Sequence, residues 1–268
     1  MGIETGISWT NSTINFWHGC TKVGPGCDHC YAEVQDKRFG TSHWGSGVAR
    51  KKIISAIPTV KKLDNNAPEW LADYEVAAGN AKAFGLPPPS FGPSRRVFVS
   101  SMADFFDNEI DPAWRDEAWA VMKDCSNLHF QVLTKRIGNA DKMIDGEWPK
   151  HIGLMATIVN QEEADRDIPK LIAVKKKRFI PWVGLSMEPL LGPTDIRQYL
   201  PDLDWVICGG ESGPNFRPMQ IEWATSIAAQ CQNANVAFFF KQDNGKHSGM
   251  KGRASDALWS CKQFPGVK

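Results

Sequence analysis

Arg96-Val97-Phe98-Val99-Ser100-Ser101-Met102-Ala103-Asp104 is the stretch on which the fold turns: a short apolar run that breaks into polar residues. Residues 97–101 read as a strand, and residues 112–125 then carry Trp114, Ala118, Trp119 and Met122 at helical spacing. The pattern repeats along the chain. Residues 130–133 form a strand ending at Thr134-Lys135-Arg136, and residues 152–158 form another, followed by a helix over 164–174. Residues 179–186 lead into Met187-Glu188-Pro189, and residues 205–208 run into Gly209-Gly210-Glu211-Ser212-Gly213. A helix over 223–232 precedes a last strand, 236–240, ending at Lys241-Gln242. Strands that alternate with helices imply a parallel sheet of right-handed βαβ units. With an early strand before Cys20, the expectation is an α/β chain folded as a partial or complete (β/α) barrel.

Upstream, residues 31–39 read as a helix ending at Gly40, a suitable residue after a helix C-terminus. Residues 41–95 read as an irregular insertion with one helix over 68–84, stopped by Gly85 and the proline run 87–89. One domain over residues 1–268 with this insertion is expected. The chain has 268 residues, 42% hydrophobic and 23% charged, which excludes a disordered or fibrous protein. A net charge of only +1 means that nucleic-acid contact must come from a local patch. The candidates are Arg50, Lys51, Lys52, Lys61 and Lys62, and the run Lys175-Lys176-Lys177-Arg178. The N-terminus lacks the charged and apolar regions of a signal peptide, and no apolar run reaches about 18 residues. A cytoplasmic protein without a membrane span is expected. Most of the eleven tryptophans should fill the core, with one or two free to stack on a planar ligand.

Three of the seven cysteines crowd into Gly19-Cys20-Thr21-Lys22-Val23-Gly24-Pro25-Gly26-Cys27-Asp28-His29-Cys30-Tyr31-Ala32-Glu33. An odd, clustered set fits metal ligation better than a secreted disulfide framework. Three thiolates can hold three corners of an iron–sulfur cluster and leave one iron open. The spacing equally allows a zinc site completed by His18 or His29, or a chance group of thiols. Polar residues follow strand after strand, at Ser101, Thr134-Lys135-Arg136, Thr157, Glu188, Glu211-Ser212 and Lys241-Gln242. In α/β barrels that edge carries the active site, so one shared site is expected there.

Taken together, several segments resemble the radical SAM enzymes, and more closely a phage-associated, three-cysteine-motif group of them long described as phage proteins of unassigned function. They are the cysteine segment, residues 98–106, Leu133-Thr134-Lys135-Arg136, residues 186–193, Gly209-Gly210-Glu211-Ser212-Gly213-Pro214 and Phe239-Phe240-Lys241-Gln242. They span nearly the whole chain in order. The resemblance implies a partial barrel of the radical SAM type with a [4Fe–4S] cluster on Cys20, Cys27 and Cys30. Its open iron would be chelated by the amino and carboxylate groups of S-adenosyl-L-methionine. Reductive cleavage of that cofactor would give a 5′-deoxyadenosyl radical that abstracts hydrogen from the substrate. The first cysteine gap is six residues, where the common pattern of the family has three, and His29 stands where an aromatic residue often precedes the third cysteine.

The resemblance also assigns roles. Ser101, Met102 and Asp104 fall to the cofactor amino group, Glu188 to a ribose hydroxyl, Gly209 and Gly210 to close backbone approach, and Glu211 and Ser212 to polar contacts. Lys135, Arg136, Lys241 and Gln242 fall to the substrate. That substrate is expected to be a modified thymine base in phage DNA, or a modified nucleotide, rearranged by an isomerase in DNA hypermodification. An electron donor such as a flavodoxin or ferredoxin is the expected partner. The alternatives are a radical SAM lyase or modifying enzyme acting on a small molecule or peptide, and a non-catalytic, zinc-stabilised nucleic-acid-binding protein.

Overall fold

The alternation of side chains along each strand decides which face is core and which is site. In the computed structural model, which describes residues 4–87, 89 and 91–266, strand β4 (Arg95–Val99) places Val97 and Val99 under the helices and Phe98 on the opposite face. The strands that follow keep the same parity. They are β5 (Leu128–Thr134), β6 (Ile152–Thr157), β7 (Val183–Met187), β8 (Trp205–Gly209) and β9 (Ala237–Gln242). With β1 (Ser12–Ile14), the early strand expected from sequence, they form one seven-stranded sheet in the order β1-β4-β5-β6-β7-β8-β9. Every neighbouring pair is parallel. The sheet is curled into a half-barrel. Both faces are covered, as all-parallel sheets require.

The outer face packs against the helices through Val132, Leu154, Leu185, Val206 and Phe240. The inner face holds a smaller aromatic cluster of Trp9, Phe98, Met155, Trp182, Trp205, Ile207 and Phe239. Glycine makes room for it. A Cβ on Gly153 would lie 1.9 Å from the Trp182 ring, and one on Gly184 would lie 2.8 Å from the Trp205 carbonyl. The C-terminal segment closes this end, with Phe264 against the Trp205 and Phe239 rings.

Helix α1 (Tyr31–Arg38) follows the cysteine loop, and α4 (Pro112–Asp124) starts at Asp111, whose side chain accepts from the Ala113 N–H. Between them the 41–95 insertion is more regular than expected. It contains β3 (Lys51–Lys52), paired antiparallel with β2 (Trp17–His18), then α2 (Ala56–Asn65) and α3 (Ala67–Ala83). Helix α3 was expected; α2 was not. Ala56, Val60 and Leu63 give α2 its buried stripe, and Pro58 sits in the first turn, where no intrahelical N–H is needed.

After α4 come α5 (Ile137–Ala140), α6 (Gln161–Arg178), α7 (Ile221–Asn233) and α8 (Asp256–Trp259). In α6, Asn160 caps the N-terminus by accepting from the Glu163 N–H, and Phe179 ends the helix with a left-handed φ of 54°. The strand expected to begin at residue 179 therefore begins at Val183. The run Lys175–Arg178 is also corrected. It forms the last turn of α6, favourable for cations, and pairs with Asp204, Asp202 and Asp141. Four cations share three aspartates there, so it is an ion-paired surface and not a free basic patch. No described helix is long and apolar enough to cross a membrane.

Candidate functional site

At the C-terminal edge of the sheet, the inward parity turns from aromatic to polar. Ser100 beyond β4, Thr157 on β6, Ser186 and Glu188 at the end of β7, and Lys241 on β9 line a cavity of about 340 Å³. Trp9, Phe98 and Leu133 form its apolar floor, and Cys20, Cys27 and Cys30 all face it. None of the three is in a disulfide. The expectation of one site shared between strand ends and cysteine loop matches this geometry.

The loop is held in place residue by residue. Gly19 donates to the Met102 carbonyl at 3.1 Å and bridges Ala103, extending the sheet edge. Its φ of 108° and its position, where a Cβ would lie 2.3 Å from the His43 carbonyl oxygen, admit only glycine. Residues Pro25–Cys27 form a single 3-10 turn, and Cys30 is the N-cap of α1. Three arginines fasten the segment. Arg136 donates to Cys20 Sγ at 3.4 Å and to the Thr21 carbonyl at 2.6 Å. Arg217 donates to the Pro25 carbonyl at 2.9 Å and pairs with Asp28 at 3.2 Å. Arg50 donates to Thr21 Oγ1 at 2.6 Å and to the carbonyls of His43, Gly45 and Val48. Burial pushes the Cys20 thiol up to about 12, with Asp104 adding to the shift and Arg136 opposing it. The free thiol is therefore neutral at ordinary pH, and a bound metal would have to displace its proton.

Several residues assigned from sequence are committed to partners within the protein. Arg50, expected on a DNA backbone, is buried and paired with Asp107 at 3.0 Å; it staples the 43–48 segment over the cysteine loop. Asp104 is engaged by four donors: Phe106 N, Thr134 Oγ1, Lys135 N and Arg136 Nη1. It positions the end of β5 and has no lone pair spare for a cofactor amino group. Met102 is buried and acts through its backbone, and Arg136, which also lines the cavity, donates to the cysteine loop. Gln242 is spent internally, donating to the Gly210 carbonyl and accepting from Ser248 Oγ and Gly249 N.

Gly209 and Gly210 lie outside the cavity lining. A Cβ on Gly210 would stand 2.4 Å from the Asn244 nitrogen, so the glycine is required by chain packing. Glu211 pairs with Arg217 at 2.5 Å and with His29 Nδ1 at 2.9 Å, fastening the loop to the end of β8. Burial acts to raise its pKa, but the Arg217 and His29 contacts outweigh it and hold the carboxyl below its usual range.

Seven assigned residues line the cavity: Ser101, Asp104, Lys135, Arg136, Glu188, Ser212 and Lys241. Ser101 Oγ accepts from Asn15 Nδ2, while its carbonyl accepts from the Tyr31 hydroxyl. Glu188 and Lys241 pair at 3.0 Å, so neither presents an isolated charge. Sequence reasoning missed Ser100 and Ser186, whose inward parity follows from their strands once the register is known. It also missed Trp44, carried in from the insertion to the cavity mouth, and Arg217.

Three free thiols on one cavity are the kind of donor set that a cluster takes, one thiolate to each of three irons. Among the described residues, no group of three or more His, Cys, Asp or Glu side chains converges as ligands of one metal. His29 Nδ1 is paired with Glu211, which leaves Nε2 as its other ring nitrogen. A cluster instead spreads its thiolates over separate irons. The cavity also contains buried hydroxyls with no hydrogen-bond partner, Ser100 Oγ and Thr157 Oγ1, and the unpartnered indole N–H of Trp9. Unmet polar atoms around one hollow are what a polar ligand would satisfy.

The family model described as "Protein of unknown function (DUF5131)" matches residues 4–261. The chain belongs to that family. No curated protein and no solved structure matches it.

Proposed function

We propose that this DUF5131 protein is a radical SAM enzyme, with a [4Fe–4S] cluster on Cys20, Cys27 and Cys30 and S-adenosyl-L-methionine in the adjoining cavity. The observation that carries the reading is the meeting of three free thiols with unpartnered buried hydroxyls in one hollow at the C-terminal edge of a parallel half-barrel. When bound, the cluster and its cofactor would supply the one-electron chemistry that removes hydrogen from unactivated carbon. The chain itself binds, orients and excludes water. Ser100, Thr157 and Ser212 offer polar contacts, the Glu188–Lys241 pair offers a dipole at the opposite wall, and Trp9, Phe98 and Leu133 keep the floor dry. A flavodoxin or ferredoxin serves as electron donor in this reading.

The substrate we propose is a planar nucleobase, as nucleotide or within DNA, rearranged at carbon. Trp44 supports this: it lines the cavity mouth and belongs to neither hydrophobic cluster, which leaves its face for a ring to stack on. If the base lies in a duplex, it must be flipped out to reach the cavity.

Anaerobic reconstitution with iron and sulfide tests the reading. The wild-type protein should take up iron and sulfide in equal amounts, with broad visible absorbance, and cleave S-adenosyl-L-methionine when reduced. Cys20→Ala, Cys27→Ala and Cys30→Ala should each lose the cluster, while Cys125→Ala and Cys231→Ala keep it. Full iron content in any of the first three overturns the assignment. Protein that holds one zinc and no sulfide favours the non-catalytic alternative.

A further inference from the structure

Arg136 joins the cysteine loop in a way that loop anchoring alone does not require. It is more than nine-tenths buried, and its Nη1 reaches both Cys20 Sγ, at 3.4 Å, and Asp104 Oδ2, at 3.2 Å. Thr21, the neighbour of Cys20, is fixed independently. Its hydroxyl lies between Arg50 and Glu109, and the Gly45 N–H holds the Cys20 carbonyl. Asp104 likewise keeps three other donors. The guanidinium is thus a buried positive charge, aimed at one thiol of the three, at a point where the backbone is already held.

We propose that Arg136 sets the reduction potential of the cluster, holding it higher than three thiolates alone would allow. This inference rests on the cluster reading above. Reduction adds an electron to a centre that already carries the negative charge of its thiolates. A nearby cation and an N–H···S bond stabilise the more negative, reduced state, and a buried location strengthens both effects. Hydrogen bonds to ligand sulfur are a recognised lever on such potentials. Arg136 is a positioning and tuning residue here, since it acts through Cys20. The arrangement would let a physiological donor reduce a site that is otherwise surrounded by the carboxylates of Asp104 and Asp107, 3.2 Å and 3.6 Å from the same guanidinium.

The test compares wild type, Arg136→Gln and Arg136→Lys, each reconstituted anaerobically with iron and sulfide and without S-adenosyl-L-methionine. Iron and sulfide content, circular dichroism and an electron-paramagnetic-resonance redox titration are read on each. The expected result is full cluster content in all three, a more negative midpoint in Arg136→Gln, and a partial return towards wild type in Arg136→Lys. Wild-type midpoints in both variants overturn the inference. So does failure of both folded variants to assemble a cluster, because Arg136 would then act on loop shape. A wild-type protein that takes up no iron and sulfide overturns the functional reading, and this inference with it.

Discussion

Gly210 shows how a residue can be singled out correctly for the wrong reason. As part of Gly209-Gly210 at a strand end, it invites the idea of close cofactor approach, yet its Cα faces the backbone of Asn244 and not the cavity. Gly210→Val should therefore act on folding. A side chain forced against the Asn244 backbone is expected to cost about 1–3 kcal/mol, the usual range for overpacking. Urea unfolding should show the loss, and the cluster content of the protein that remains folded should match wild type. Weakened cofactor affinity at unchanged stability would restore the cofactor role. The three cysteines were legible because three thiols within one short loop are chemically unusual. Arg50 was not. In sequence it is one of five cations without a nearby acid, and its partners Asp107 and Glu109 come from another part of the chain.

At the scale of elements, the strands and the longer helices were legible because apolar runs and helical spacing survive in a single sequence. Helix α2 was hidden because its stripe is only Ala56, Val60 and Leu63, and the charges around it suggested an exposed segment. The clamps on the cysteine loop were hidden for a different reason. Glu211 follows β8 and His29 precedes α1, so only the curled sheet brings them together. Glu211→Gln should weaken that clamp by about 1.5–3 kcal/mol, the value of hydrogen bonds to a charged group. The sign of the pH effect follows from the direction of the shift. The folded carboxyl is more acidic than the unfolded one, so its contribution is present above the ordinary carboxylate range. It is lost as pH falls through the lowered folded value. The stability gap between wild type and Glu211→Gln, from denaturant unfolding at a series of pH values, should be widest near neutrality and close on acidification. A gap that widens towards acid contradicts the assignment.

For the whole molecule, the half-barrel explains why so many polar residues at strand ends form one site and why several of them are not ligands. Parity along parallel strands sends alternate residues into the cavity, and the residues between them support the edge. That division separates Thr157 and Lys241 from their neighbours Ala156 and Gln242, a distinction that depends on register and is invisible from strand ends alone. The same view reshapes the question of a polymeric substrate. Of the basic residues, Arg50 is buried, Lys52 pairs with Glu117, and Lys175–Arg178 are paired with three aspartates. Lys51, Lys61 and Lys62 remain exposed. Each phosphate contact on duplex DNA changes the logarithmic salt slope of binding by roughly 0.9, so these three lysines can carry a slope of at most about 2.7. Replacing all three with alanine should lower the salt slope for a thymine-containing duplex by no more than that amount, while cofactor cleavage without substrate persists. Fluorescence polarisation at several salt concentrations measures it. A fall towards the full value places the backbone along β3 and α2; an unchanged slope, with the base modified equally well as a nucleotide, assigns the cavity to the smaller substrate. A wild-type slope well above 2.7 would mean that the paired lysines and Arg178 open on binding, which their carboxylate contacts oppose.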